Sequence, residues 1–276
     1  MDDLVPRPEP TKIENLPEIQ AIWAGHTSSY FLDIFNCLWC CGTNKIHFAQ
    51  NINHLQQTPV QITVLPPIKM VRVGLEFTIV LDMQGAVWFC GQYEEYYTNP
   101  SATFERIEFA TSGVPPRILE IAAGSTFALL LDENQQVWSC GDNFCGQLGT
   151  SKGSSKIANL ITYLPPIVTV QAGALHSIFV DANGVPWVCG SNSHSQLGFG
   201  RPNRPRATKV PNLVVKSAYA GFNHTLYVDL NREVWSCGQL NPTFVKNPPM
   251  DKPNAICVVP EVFLLVVSVR TKSARS

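Results

Sequence analysis

The chain has 276 residues, of which 45% are hydrophobic and 15% charged, and its formal net charge is -1. This composition provides enough apolar surface for a substantial core and excludes a largely disordered chain. The near-neutral charge provides no global field that would draw the protein onto DNA or an anionic membrane. No apolar run reaches the roughly 18 residues that a membrane-spanning helix needs.

The N-terminal segment, residues 1–16, begins with the acidic and proline-rich stretch MDDLVPRPEP. It lacks the basic region and apolar run of a secretory signal, so we expect no export by the general secretory route. Without such a signal, the odd number of nine cysteines favours reduced thiols over a disulfide framework.

Residues 17–259 contain five copies of one sequence unit. In each copy a Trp precedes a Cys-Gly pair by two residues, and these cysteines recur at intervals of 48 to 50 residues. A near-constant period of about fifty is typical of repeat architectures. The equivalent residues are Gly25, Gly74, Gly124, Gly173 and Gly221; Asp33, Asp82, Asp132, Asp181 and Asp229; Trp39, Trp88, Trp138, Trp187 and Trp235; and Cys41, Cys90, Cys140, Cys189 and Cys237.

Each copy consists of short apolar segments broken by turn residues. In the fourth copy these segments are IVTVQAG, HSIFVD and VPWVCG, and the DANG between the last two predicts a hairpin. A looser stretch follows, so we expect three regular strands and one variable outer strand per copy. The sequence therefore predicts an all-β fold, a β-propeller of five to six blades with ring closure left open.

The first copy contains the sequence CLWCC, in which Cys37 and Cys40 form a C-x-x-C pair. Such a pair can be a redox or metal motif in a cytosolic protein. Because it lies in the strand that carries the repeat Trp, we interpret these residues as buried thiols, with the redox site as the alternative. The spacing of His47 and His54 follows no known metal pattern.

The third copy contains VWSCGDNFCGQLG, residues 137–149, which combines two cysteines with three glycines. A phosphate loop needs a lysine after its second glycine, whereas Gly146 is followed by Gln147 and Leu148. A zinc site needs four ligands, and Cys140 and Cys145 have no second pair at a comparable spacing. We therefore interpret the glycines as turn residues with positive φ and expect neither a metal nor a cofactor.

The repeats resemble those of the regulator of chromosome condensation family, whose consensus contains AG..H(S/T)..L and later V(Y/F/W).(W/C)G.N..GQLG. Copies three and four match the second motif closely, while the other three copies lack the N-x-x-G-Q-L-G turn. The resemblance implies a propeller, and members of this family have seven blades. Here we predict an N-terminal segment at 1–16 that could supply an outer closing strand, the propeller at 17–259, and a partial sixth repeat or closing strand with a tail at 260–276.

Two histidines occupy the position of the family's recurring histidine. His176 and His224 each follow the repeat glycine by three residues, and the resemblance implies that such residues face the small GTPase Ran. Ser28, Phe77 and Phe127 stand at the same position in the other copies, which favours a packing role as the alternative.

Two loops differ from ordinary solvated segments. The second copy carries an aromatic and acidic stretch, typical of a protein contact that faces a basic surface, formed by Tyr93, Glu94, Glu95, Tyr96 and Tyr97. The fourth copy carries a basic stretch with Arg201, Arg204, Arg206 and Lys209. An ordinary polar loop is the alternative for both.

Three functional hypotheses follow. The first is a regulator that binds Ran and promotes nucleotide exchange; copies of 48 to 50 residues leave little space for the wedge that exchange-active relatives carry. The second is a scaffold that recruits another protein, and the third is chromatin attachment through the basic loop. No covalent catalytic site is apparent. We expect a monomer in the cytoplasm or nucleus, or in the host cytosol if the protein is a translocated effector, since bacteria and viruses also carry such repeats.

Overall fold

The computed structural model describes residues 9, 12–25, 27–43, 55–92, 101–200, 202–239, 241–246, 255–257 and 265–267. Every regular element within these residues is a β-strand. Accordingly, this part of the chain contains no helix that could span a membrane.

Twenty strands form five four-stranded antiparallel sheets, one for each sequence copy. Strands follow one another within each sheet in chain order, so each sheet is a simple meander. The sheets are the blades of a β-propeller, as predicted. Blade 1 contains β1 (Ile19–Ala24), β2 (Ser28–Asp33), β3 (Leu38–Thr43) and β4 (Leu55–Gln61); blade 2 β5 (Ile68–Val73), β6 (Phe77–Asp82), β7 (Val87–Gly91) and β8 (Ser101–Arg106); blade 3 β9 (Ile118–Ala123), β10 (Phe127–Asp132), β11 (Val137–Gly141) and β12 (Ser155–Leu160); blade 4 β13 (Ile167–Ala172), β14 (His176–Asp181), β15 (Pro186–Gly190) and β16 (Arg204–Lys209); and blade 5 β17 (Val215–Ala220), β18 (His224–Asp229), β19 (Val234–Gly238) and β20 (Asn241–Lys246).

The apolar core lies between consecutive blades. Ile68 and Val71 of the inner strand of blade 2 pack against Tyr30 and Leu32 of blade 1, and the same arrangement joins blades 2 to 3, 3 to 4 and 4 to 5. Blades 2, 3 and 4 each bury one face against the blade before and the other against the blade after. This explains why the apolar residues recur with the repeat period.

A clasp between the repeat Asp and the repeat Trp occurs in all five blades. In blade 3, Oδ1 of Asp132 accepts hydrogen bonds from the backbone N–H groups of Asn134 and Gln136, and Oδ2 accepts one from Nε1 of Trp138, each at 2.9 Å. One carboxylate therefore holds the hairpin turn and the start of the next strand. The spacing of six residues between Asp and Trp follows from this geometry. The equivalent pairs are Asp33–Trp39, Asp82–Trp88, Asp181–Trp187 and Asp229–Trp235.

The glycine after each repeat Cys lies at an irregularity in the pairing of the third and fourth strands. Gly141 has a φ of +105°, and a Cβ there would lie 2.4 Å from the carbonyl oxygen of Thr126. The ladder between β11 and β12 shifts its register between Ser139 and Gly141. This glycine lies at a bulge where no other side chain has room. The positive φ agrees with the prediction for Gly141, but the residue belongs to the strand ladder and not to a turn.

Blade 1 differs from the others in the face that it turns away from blade 2. Ile22 is 70% exposed, whereas the equivalent Val71, Ile121, Val170 and Ala218 are at most 3% exposed. The repeat cysteine of this face, Cys41, is only half-buried. No described blade covers this face as a preceding blade covers the others. Five blades are therefore described, and the contact that would close the ring is not shown.

The terminal segments are described only in part. Residues 12–18 form no strand, and blades 1 and 5 each have a fourth strand of their own, β4 and β20. The described part of the N-terminal segment therefore supplies no outer strand to either blade. Two short strands, β21 (Ala255–Cys257) and β22 (Leu265–Val267), pair antiparallel after blade 5. The proposed domain boundaries remain a prediction.

The thiols provide a first testable prediction. The eight cysteines whose side chains the structure describes form no disulfide, and burial raises the pKa values of the Cys90, Cys189 and Cys237 thiols to about 12. Because the thiolate is the nucleophile, these three and the equally buried Cys140 should react with a thiol reagent only after unfolding. The half-buried Cys37, Cys41 and Cys145 should react first. Of the two thiols predicted to be buried in the C-x-x-C pair, Cys40 is buried and Cys37 is only half-buried.

Mass spectrometry of protein labelled under native conditions would measure the rate at each cysteine. Labelling of the four buried cysteines as fast as Cys41 would contradict the prediction, as would stoichiometric zinc in the purified protein.

Candidate partner-binding face

The turns that follow the inner strands meet on one side of the propeller, which we call the upper face. The last residue of each inner strand, which is Val73 in β5 and Ala in β1, β9, β13 and β17, and the Gly that follows it line a cavity of about 320 Å³ on the axis. Leu75 and Phe222 stand at this cavity and are each 44% exposed. The loops between the third and fourth strands emerge on the same side, because β3 and its equivalents run parallel to the inner strands.

A chain of backbone hydrogen bonds joins blades 2 to 5 around the cavity. The N–H of Leu75 donates to the carbonyl of Ser125, that of Ser125 to Ala174, and that of Ala174 to Phe222, at 2.9–3.0 Å. Each of these residues directly follows the repeat glycine. The upper face around the axis is therefore a rigid frame, since its backbone groups are engaged from one blade to the next.

The residue three positions after the repeat glycine packs over that glycine. A Cβ on Gly173 would lie 2.1 Å from the ring of His176, and one on Gly124 would lie 2.0 Å from the ring of Phe127. His176 is 0% exposed, and His224 is half-buried with burial lowering its pKa. His176 therefore has the packing role that the sequence analysis gave as the alternative to partner contact. We therefore leave His176 out of the proposed contact surface.

The hydrogen bonds of His176 define its tautomer. The hydroxyl of Thr225 donates to the carbonyl of Gln196 at 2.7 Å, so its oxygen accepts from Nε2 of His176 at 3.0 Å. Nδ1 of His176 is then an unprotonated nitrogen, buried and without a hydrogen-bond partner. Burial, with a smaller contribution from His224, lowers the pKa of His176 to about 3. The ring is neutral and joins blade 4 to blade 5.

The Gln-Leu-Gly turns of blades 3 and 4 form a second connection between blades, which the sequence analysis did not predict. The carbonyl of Gln147 accepts hydrogen bonds from Ser177 at 2.6 Å and Cys189 at 3.5 Å. The carbonyl of Gln196 accepts from Thr225 and, at 3.3 Å, from Cys237.

The family consensus contains both partners of this hydrogen bond. The Ser or Thr after the histidine donates to the Gln of the turn in the preceding copy. Where the second copy lacks this turn, the third has Ala128 in place of the hydroxyl residue.

The predicted loop residues are placed only in part. The aromatic and acidic stretch Tyr93–Tyr97 and Arg201 lie outside the described residues. The guanidinium of Arg204 lies 5.4 Å from the ring centroid of Phe199, and that of Arg206 lies 4.8 Å from the ring centroid of Tyr163. The two described arginines are thus held over aromatic rings of blades 4 and 3, respectively, which restricts their side chains.

No group of three or more His, Cys, Asp or Glu side chains that could hold a metal ion occurs in the described part of the chain. The geometry consists instead of a rigid frame, recurrent clasps and variable loops. Such an arrangement is suited to recognition by loops that a scaffold positions.

The family comparison agrees with this geometry. Residues 118–147 match the model of the regulator of chromosome condensation (RCC1) repeat, and they contain β9, β10 and β11 with the Gly-Gln turn. This stretch of the third copy therefore matches an RCC1 repeat. The other copies carry the same Gly, Asp, Trp and Cys positions and fold into the same four-stranded blades. A comparison with curated protein sequences gave no significant match.

Solved structures share the fold of this chain. Yeast RCC1 (Prp20), bound to Kap60, matches 87% of the chain with a TM-score of 0.74 and 18% identity, and human WBSCR16 matches 86% with 0.72 and 11%. Prp20p of Saccharomyces cerevisiae, described together with its binding to Gsp1p and histones, matches 86% with 0.74 and 18%. The chain spans 66%, 69% and 67% of these proteins, respectively. At this identity the likeness establishes the fold alone.

Proposed function

We propose that this RCC1-repeat propeller binds a small GTPase and regulates its nucleotide state, and that the GTPase is Ran. The observation that carries the proposal is the shared fold with Prp20p over 86% of the chain, since the binding of that protein to Gsp1p has been described. The rigid frame of the upper face supports a role in recognition. Its backbone hydrogen bonds would hold the variable loops in place against a partner.

Regulation of this kind needs no covalent chemistry. A protein that binds the nucleotide-free GTPase more tightly than the loaded form lowers the affinity for nucleotide by the same factor, because the two equilibria are linked. Nucleotide release then becomes faster or more complete. The proposal is first that the propeller binds the GTPase and second that it promotes nucleotide exchange. Exchange comes second because repeats of 48 to 50 residues offer little room for the inserted wedge of exchange-active relatives.

The deciding experiment measures binding of the purified chain to Ran loaded with GDP, loaded with GTP, and stripped of nucleotide. Retention of the stripped form alone, together with faster release of a fluorescent GDP analogue, supports exchange. Equal retention of all three forms supports a scaffold that recruits the GTPase without exchange. No retention of any form contradicts the proposal.

The loop Tyr93–Tyr97 provides a second testable prediction. Changing Glu94→Lys and Glu95→Lys together should weaken GTPase binding and reduce its dependence on salt, since charge complementarity mainly steers association. Calorimetry or surface plasmon resonance at two ionic strengths would measure both effects. The matched control is Glu105→Lys with Glu108→Lys, which reverses two exposed charges on the outer part of blade 2. Unchanged affinity of the loop variant would remove this loop from the contact.

Chromatin attachment is the second candidate, because binding of Prp20p to histones has also been described. The basic stretch of blade 4 supports it through Arg201, Arg204 and Arg206. Reversing these three charges should weaken nucleosome binding while leaving GTPase binding intact. If nucleosome affinity does not change, or if the unmodified protein binds no nucleosome, this candidate is excluded.

A further inference from the structure

A groove on the outer side of blades 3 and 4 differs in character from the upper face. It has a volume of about 430 Å³ and is lined by residues from the segment after blade 2, from blade 3 and from blade 4. We propose that this groove is a docking site for an acidic segment of a protein partner. The proposal rests on the contacts in the groove and does not depend on the binding of a GTPase.

Two exposed cations lie in the groove, and neutral groups hold both in place. Nζ of Lys152 donates to Oδ1 of Asn159 at 2.7 Å, and the guanidinium of Arg206 stacks over the Tyr163 ring. Both contacts position a cation without neutralising its charge. The conformational cost of presenting these charges to a ligand is therefore reduced before binding.

Tyr163 is itself fixed on both sides. Its hydroxyl donates to the carbonyl of Gly149 and accepts a hydrogen bond from the backbone N–H of Ala207 at 2.9 Å. The ring therefore links the loop of blade 3 to the outer strand of blade 4. Because Arg206 stacks on this ring, the two walls of the groove keep a defined distance.

The groove contains no acidic side chain among its lining residues. Among the residues that the structure describes, no ion pair within 4.0 Å involves Lys152 or Arg206. Lys152 and Arg206 thus carry two positive charges without an internal carboxylate, in a protein whose net charge is -1. Carboxylates are the complementary partners for such a pair.

The remaining lining residues favour a peptide over a nucleic acid. Trp138, Leu160 and Ile161 provide apolar contacts, while Thr111, Ser151 and Thr162 provide hydroxyl groups. A peptide that contains both acidic and apolar residues matches this lining, because it can pair with the two cations and contact the apolar side chains. A DNA duplex depends on many phosphate contacts, on the order of 6–10 in typical cases, which two cations do not supply.

Fluorescence anisotropy with a labelled peptide of alternating Glu and Leu tests the proposal, with the Gln and Leu peptide of equal length as its neutral counterpart. We expect the acidic peptide to bind and the neutral peptide to bind at least about tenfold more weakly. Changing Lys152→Glu and Arg206→Glu together should also reduce the affinity for the acidic peptide by about tenfold or more. The milder pair Lys152→Gln with Arg206→Gln should give an intermediate loss and guards against misfolding of the reversed variant.

The control pair Lys156→Glu with Lys209→Glu makes the same change in net charge on exposed residues that do not line the groove. Retained affinity in this control, with lost affinity in the groove variants, supports the proposal. Equal loss in both variants would show attraction to net charge alone and overturn it. Failure of the unmodified protein to bind the acidic peptide would also overturn it, as would tighter binding of a DNA duplex that the groove variants abolish.

Discussion

Changing Asp132→Ala should lower the free energy of unfolding by about 3–5 kcal/mol, because one buried carboxylate satisfies three donors. Asp132 is 1% exposed and holds the N–H groups of Asn134 and Gln136 and the indole of Trp138. Removing it leaves those donors without an acceptor inside the blade. Since whole domains are stable by only about 5–15 kcal/mol, one clasp is a large fraction of the total. Urea unfolding followed by tryptophan fluorescence would measure the loss.

The neighbouring change Glu133→Ala is the matched control, since Glu133 lies in the same turn but is exposed. It should change stability by less than about 0.5 kcal/mol. Trp138→Ala should cost about as much as Asp132→Ala, because the indole is 7% exposed and truncation leaves a cavity of aromatic size. Similar stability of the Asp132 and Glu133 variants would show that the clasp does not hold the blade.

The second large effect is a loss of folding stability at acidic pH, which arises from His176. Burial lowers the pKa of His176 to about 3, whereas in the unfolded chain a histidine has a pKa of about 6.5. Below about pH 6.5 the unfolded state therefore binds a proton that the folded state does not, and folding stability falls as pH falls, by up to about 1.4 kcal/mol per pH unit. At about pH 5 the loss from this residue reaches about 2 kcal/mol.

His176→Phe should remove this contribution. Phe127 shows that a phenyl ring fits over the repeat glycine in a neighbouring blade. The variant loses the hydrogen bond to Thr225, which should cost about 1 kcal/mol at neutral pH, but its stability should change less between about pH 6.5 and pH 5 than that of the unmodified protein. His194→Phe is the control because His194 is exposed. The same pH slope in the His176 variant and the unmodified protein would refute the assignment of a neutral, buried ring.

Much of the fold could be predicted from the sequence because its determinants lie within one repeat. The hairpin turn after Asp181, the glycine bulge after Cys140 and the four strands of a blade all depend on residues close together in the chain. The hydrogen bond between Asp132 and Trp138 requires a spacing of six residues. This spacing recurs in all five copies and can therefore be recognised in the sequence. The resemblance to RCC1 repeats rested on the same local positions.

Contacts between repeats were less accessible to sequence reasoning. The bond between His176 and Thr225 spans 49 residues, and the bond from Ser177 to the Gln147 carbonyl spans 30. Because the two partners of each bond lie in different copies, the sequence of one copy alone does not predict the bond. The resemblance implied that His176 faces a partner at the rim of the propeller. The packing of blade 4 against blade 5 buries this side chain instead.

By itself, the sequence determined the repeat unit, the strand pattern and the turn residues, because hydrogen bonds within a blade link residues a few positions apart. Only the tertiary structure decided which face each side chain occupies relative to other blades. Cys41 and Cys90 have the same local sequence context, yet one is half-buried and the other is buried, because a preceding blade covers blade 2 and no described blade covers blade 1. Lys152 and Arg206 stand far apart in the chain, and only the packing of blade 3 against blade 4 brings both charges into one groove.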